Sequence, residues 1–308
     1  MRPILLLLCL LAVAFRADKP AYRLYDAKLK TTSYAKLLRQ ASEADVVLFG
    51  ELHNNPICHW LELQLTKDLQ AQKKGAVVLG AEMFDADNQT ALTNYVQGNT
   101  TGQELAAQAR LWPNFDTDYK PIADFAREQK IPFVATNVPR RYASLVSRKG
   151  LAALDTLSAE AKSQMAPLPL TVDLTLPGYK AMLDMMGGSG GHGSTGNPHA
   201  GNADVAANFA RAQAIKDATM AHFILQNLKP GQTMLHVNGD YHSKNFEGIV
   251  WYLRKQQPNL KIVTLSSVEL ADLDKPDQAN ENMGPGSTGN RNLADFVLAI
   301  PADMTKTY

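Results

Sequence analysis

The stretch Val46–His59, VVLFGELHNNPICH, limits what this chain can fold into more than any other. Val46 to Phe49 is a short apolar run, read as a buried strand that breaks at Gly50. Glu51, His53, Asn54, Asn55 and His59 follow at once. Pro56 then opens an amphipathic helix with Ile57, Trp60, Leu61, Leu65 and Leu69 on one face. A buried strand that carries a carboxylate and an imidazole to its own end has the anatomy of a site in an open α/β sheet.

The same rhythm recurs along the chain. Ala76 to Gly80 reads as a second strand leading into Glu82 and Asp85, and Ile131 to Ala135 as a third leading into Asn137 and Arg140. Helical patterns over 88–115 and 119–130 lie between them, and Tyr22 to Gln40 reads as a linker and a helix. From 140 to 228 only helical segments follow, near 142–148, 158–164, 179–186 and 203–228, interrupted by the glycine-rich stretch 187–202. Strand rhythm returns at 233–237, 261–268 and 296–300, with a helix over 244–257. This alternation predicts an α/β fold: a mostly parallel sheet flanked by helices, with a smaller helical subdomain, 140–228, inserted between strands three and four.

Parallel strands would bring several groups to one edge. The first strand ends in Gly50-Glu51-Leu52-His53, and the fourth is followed by Gly239-Asp240-Tyr241-His242, a repeated Gly-x-x-His. Glu82 and Asn137 come from the strands between. Two imidazoles and a carboxylate can hold a divalent metal, or form an acid–base set without one. Taken singly, each residue also has a structural reading. A histidine after a strand can be a hydrogen-bonded scaffold group, and Glu82 can cap the following helix. The repeat is what marks a shared site.

The ends and the totals narrow the class. Met1 to Pro3 is a minimal basic start, Ile4 to Ala14 an unbroken apolar run, and Ala12-Val13-Ala14 a small-x-small cleavage site. The run is shorter than the roughly 20 residues that span a bilayer, so residues 1–14 read as a signal peptide and 15–308 as the mature domain. Leu8 before Cys9 argues against lipidation, and cleavage leaves Cys58 without a disulfide partner, either a thiolate ligand or a small buried apolar group. A formal net charge of +1 over 308 residues, with no basic run, excludes an electrostatic case for nucleic acid.

GELHNN, LGAEMF, AQAIKDATMA (Ala212 to Ala221) and NGDYH together resemble the ChaN-like haem-binding proteins, within the superfamily of Tiki-type proteases and erythromycin-esterase-like proteins. The resemblance implies a haem-binding envelope protein rather than an enzyme, active in haem or iron uptake or storage. It also implies haem at a homodimer interface, a tyrosine iron ligand, a histidine and a lysine nearby, a periplasmic or envelope location, and an outer-membrane haem uptake system as partner. Onto this chain it suggests Tyr179, with Lys180 beside it and Met182, Met185 and Met186 as adaptable apolar surface, and then Tyr241. His53 and His242 would serve as nearby imidazoles, and His192 or His199 could reach haem from the glycine-rich stretch. The alternative is a Tiki-type metal-dependent hydrolase, with His53, Glu82 and His242 holding a divalent metal ion and Glu51 acting on a bound water.

Overall fold

Seven strands make one sheet in the computed structural model, which describes residues 19–187, 202–277 and 293–308. The strands are β1 (Arg23–Asp26), β2 (Val46–Glu51), β3 (Val77–Asp85), β4 (Phe133–Asn137), β5 (Thr233–Gly239), β6 (Ile262–Leu270) and β7 (Phe296–Pro301). They lie in the order β1, β7, β6, β2, β5, β3, β4, and every neighbouring pair is parallel except β1 with β7. Residues 1–14 and the stretch holding His192 and His199 lie outside the described residues.

Ten helices are described: α1 (Tyr34–Glu43), α2 (Pro56–Lys73), α3 (Gln89–Gln97), α4 (Gly102–Gln108), α5 (Lys120–Gln129), α6 (Arg140–Lys149), α7 (Ala159–Lys162), α8 (Pro177–Gly187), α9 (Asn202–Asn227) and α10 (Ile249–Gln256). No helix among the described residues is long and apolar enough to cross a membrane. The central strands are buried on both faces, as parallel strands covered by helices must be. Alternation sorts their side chains: Val47 and Phe49 pack with Leu61, Leu65 and Leu69 of α2, while Val46 and Leu48 pack with Ala218, Ala221 and Ile224 of α9.

Two expectations change. Arg23–Asp26 is an edge strand and not part of a linker or helix; its partner, β7, lies at the far end of the chain, beyond the reach of local pattern. It also shifts the strand count, so the helical insertion runs between β4 and β5. The inserted region packs directly on the sheet. α9 packs Ala214 against Tyr179, Ile215 against α6, and then Ala218 and Ile224 against the sheet, serving as one of its two helical layers.

β2 and β5 are neighbours in matched register, Glu51 opposite Gly239. The helices that follow them, α2 and α10, pack on opposite faces of the sheet. That divergence opens a crevice at the carboxyl ends of the two strands, the usual ligand position in such sheets.

Candidate functional site

Glu51, the last residue of β2, is buried, and its Oε1 lies 2.6 Å from His53 Nδ1. The Tyr119 hydroxyl donates to the same oxygen at 2.7 Å. The His53 carbonyl accepts from Asn114 Nδ2 at 3.0 Å, and its ring stands edge-on to Trp112. The ring is therefore held by Glu51 and Trp112 and its backbone by Asn114, with Cε1 and Nε2 over Gly239. A Cβ at Gly239 would come within 2.7 Å of both Cε1 and Nε2 of His53. Close approach, and not a special backbone angle, demands glycine there.

Glu82 lies inside β3, which runs on past Gly80 to Asp85. Its Oε2 accepts from the Gly239 N–H at 2.8 Å, and its Oε1 is 3.2 Å from His242 Nε2. His242 Nδ1 is 2.5 Å from Asp217 Oδ1, and Asp217 Oδ2 accepts from the Tyr179 hydroxyl at 2.5 Å. A continuous buried line thus runs from Tyr179 through Asp217, His242 and Glu82 to the Gly239 N–H. Asn137 braces it by donating to the Glu82 carbonyl at 3.0 Å, whereas the exposed Arg140 side chain turns away and only its backbone N–H meets Asp85.

The charges follow from this wiring. Burial would raise the Glu51 carboxyl, but the hydrogen bond from His53 and the His59 imidazole beside it hold it down to about 2. Burial likewise opposes ionisation of Glu82, yet the His242 charge and hydrogen bond hold it well below the usual carboxylate range. His242, disfavoured as a cation by burial, is carried up to about 10 by the charges of Glu82 and Asp217. His53 is raised in the same sense by Glu51 and Glu82 against its burial. At neutral pH His242 with Glu82 and Asp217 is thus an imidazolium–carboxylate cluster, and His53 on Glu51 is shifted in the same direction. His236, three residues before Gly239 in β5 and bound to Thr136 and Asn238, goes the other way: burial drives it down to about 4.

Beneath His53 lies a second polar layer. His59 Nδ1 is 3.3 Å from Glu51 Oε2 and 3.4 Å from Glu62 Oε2, and its Nε2 is 3.2 Å from the His53 carbonyl. Among the described residues, Glu51, His59 and Glu62 are the one group of three donors gathered as a metal ion requires. His53, Glu82 and His242 are not among the groups so gathered. Cys58 is fully buried in the core, and burial with the nearby Glu62 charge pushes its thiol upward, so it is a packed thiol and not a thiolate ligand.

An open cleft of about 800 Å³ lies above these groups, with Leu52, His53, Tyr241, Lys244, Val268 and Tyr308 in its walls. Tyr241 is 54% exposed at the rim, and the Lys244 ammonium stands 3.6 Å from its ring centroid. Tyr179 is elsewhere. It is 4% exposed, packed on Ala210 and Ala214, with its hydroxyl committed to Asp217, and burial drives its phenol far above the ordinary range. Its hydroxyl is turned away from the cleft and engaged by Asp217, while Met185 and Met186 of the same helix are exposed. Lys180 is exposed on the same helix and lines no part of the cleft. Asp217 escaped attention in the sequence, although its position three after Ala214 and four before Ala221 puts an acid on the buried face of α9.

Residues 37–253 match the family described as haem-binding uptake, Tiki superfamily, ChaN. The chain belongs to this family. ChaN of Campylobacter jejuni, in a structure of cofacial haem binding, superposes with a TM-score of 0.65 at 18% identity, over 90% of this chain and 96% of that one. An erythromycin esterase, EreC, in its open conformation superposes with a TM-score of 0.50 at 10% identity, over 92% and 98% of the two chains. At these identities the likeness is one of fold. No curated protein matches this chain by sequence. The ChaN resemblance carried by GELHNN and NGDYH, and the α/β architecture, therefore hold.

Proposed function

We propose that this chain binds haem in the cleft at the carboxyl edge of the sheet, with Tyr241 as the iron ligand. The observation that carries the reading is Tyr241 itself: a rim tyrosine more than half exposed, its hydroxyl without a hydrogen-bond partner among the described residues. Haem, when bound, supplies a ferric iron that takes an anionic oxygen donor well. The chain's own groups suit that role. Lys244 brings a positive charge against the Tyr241 ring, Leu52 and Val268 offer apolar wall to a macrocycle, and His53 stands at the floor. The family match and the cofacial haem named for the Campylobacter protein support the same reading.

Titration of the full chain with hemin is expected to develop a tyrosinate charge-transfer band. The band is lost in Tyr241→Phe and kept in Tyr179→Phe. No spectral change in the unmodified protein would sink the proposal. The cleft is open on the Tyr241 side, so one haem face would stay wet unless a second copy of the chain covered it. The expected homodimer is therefore haem-dependent, and light scattering with and without hemin tests it. Export to the envelope and a part in haem or iron uptake, alongside an outer-membrane system, extend the proposal on the basis of residues 1–14. Cell fractionation after deletion of those residues tests that extension.

A second reading rests on the two histidine–carboxylate pairs meeting at Gly239. His53 on Glu51, and His242 on Glu82 and Asp217, could act as an acid–base set on an ester in the same cleft. Haem-free protein would then hydrolyse simple esters, and His53→Ala would abolish the rate.

A further inference from the structure

We infer that Glu51, His59 and Glu62 form a buried divalent-cation site of the zinc class, beneath the cleft and separate from the Gly-x-x-His pair. Three observations converge on it. The first is geometric. Bonds of about 2.0–2.1 Å in a tetrahedral site set donor atoms about 3.3–3.4 Å apart. His59 Nδ1 stands 3.3 Å from Glu51 Oε2 and 3.4 Å from Glu62 Oε2.

The second observation is an unmet need. Glu51 Oε2 and Glu62 Oε1 are buried with no hydrogen-bond partner, on residues 2% and 1% exposed, and Glu51 Oε2 faces into the cluster. Two carboxylates packed around one imidazole, away from water, carry one negative charge more than His59 alone can balance. A divalent ion with neutral His59 balances that charge.

The third observation is the outer layer. A metal-bound imidazole normally donates its other N–H to a carbonyl or carboxylate. His59 Nε2 lies 3.2 Å from the His53 carbonyl and 3.4 Å from Asp118 Oδ2, which leaves Nδ1 for the ion. Asp118 is itself held by Asn114 Nδ2 at 2.6 Å, and Glu51 Oε1 by the Tyr119 hydroxyl at 2.7 Å. Three protein donors are present, and water completes the shell. Glu51 would then touch the ion with one oxygen and orient His53 with the other, so the ion would stiffen the cleft floor.

The test uses the full chain, freed of metal by chelation, exposed to Zn²⁺ and dialysed. One zinc per chain, a raised Tm, and visible bands of a tetrahedral nitrogen–oxygen site on Co²⁺ substitution are expected. Glu62→Gln is expected to weaken zinc binding by about a hundredfold or more, and His242→Ala to retain it. A chain that keeps no zinc, and in which Glu62→Gln is as stable as the unmodified protein, would mean that the two carboxylates share a proton instead, and would overturn the inference. So would zinc lost in His242→Ala but held in Glu62→Gln, which would move the ion to the Gly-x-x-His pair. If Glu62→Gln fails to fold, the cobalt spectrum of the unmodified chain decides. None of these outcomes depends on haem.

Discussion

Single atoms decide much of this site. A methyl group added at Gly239 would meet His53 at 2.7 Å and Glu82 Oε2 at 3.4 Å. Gly239→Ala is therefore expected to push His53 off Glu51 and to cost about 1–3 kcal/mol by overpacking, measured by urea unfolding. The shift of the His53 ring resonances in NMR is the more specific readout. The two tyrosines separate at this scale as well. Tyr179→Phe leaves a buried Asp217 oxygen without its donor and is expected to destabilise by about 1–3 kcal/mol while hemin binding persists. Tyr241→Phe, at the exposed rim, is expected to change stability by less than about 0.5 kcal/mol while the charge-transfer band disappears.

Among the elements, α9 holds the most together. Its first half seats Tyr179, its middle supplies Asp217 to His242, and its second half covers the sheet beside β2 and β5. Ile224→Ala on the covered face is expected to cost about 2–5 kcal/mol in urea unfolding, with Met185→Ala on the outward face of α8 as a near-neutral control. β2 and β5 show why the site's address was legible in advance. Each reads as a short buried run ending in glycine, and the α/β rhythm implies parallel strands; that the two are neighbours with Glu51 opposite Gly239 comes from the structure. β1 was not legible, because a four-residue edge strand takes its identity from a partner at the other end of the chain.

Across the whole molecule, the buried ion pairs make stability depend on pH in a calculable direction. His242 has its folded-state pKa raised from 6.5 to about 10. Its contribution is full below 6.5 and is lost as pH rises through about 10, because in that window the folded state holds the extra proton. Glu82 is lowered from 4.5, so its contribution is present above 4.5 and lost as pH falls. Tm is therefore expected to be highest between these limits and to decline steadily from neutral toward alkaline pH. Glu82→Gln should flatten the alkaline decline, since His242 then keeps only Asp217 as a charged partner. A Tm profile that rises from pH 7 to 10 would contradict this account.

From the sequence alone came the class of fold, the family, and the sheet edge that gathers the candidate site. Apolar period and strand-ending glycines are local properties, and the motifs GELH and GDYH are short enough to read in isolation. Which side chains are buried, which are exposed and which meet one another was decided only by the tertiary structure. Tyr179 is buried while Tyr241 stays at the rim, α9 brings Asp217 to His242 from 25 residues away in sequence, and the first two turns of α2 fold His59 and Glu62 back under Glu51. Those contacts depend on rotations of a few tens of degrees and on packing between distant segments, neither of which a local pattern encodes. GELHNN therefore names the place, and the layers packed above and below it assign its chemistry.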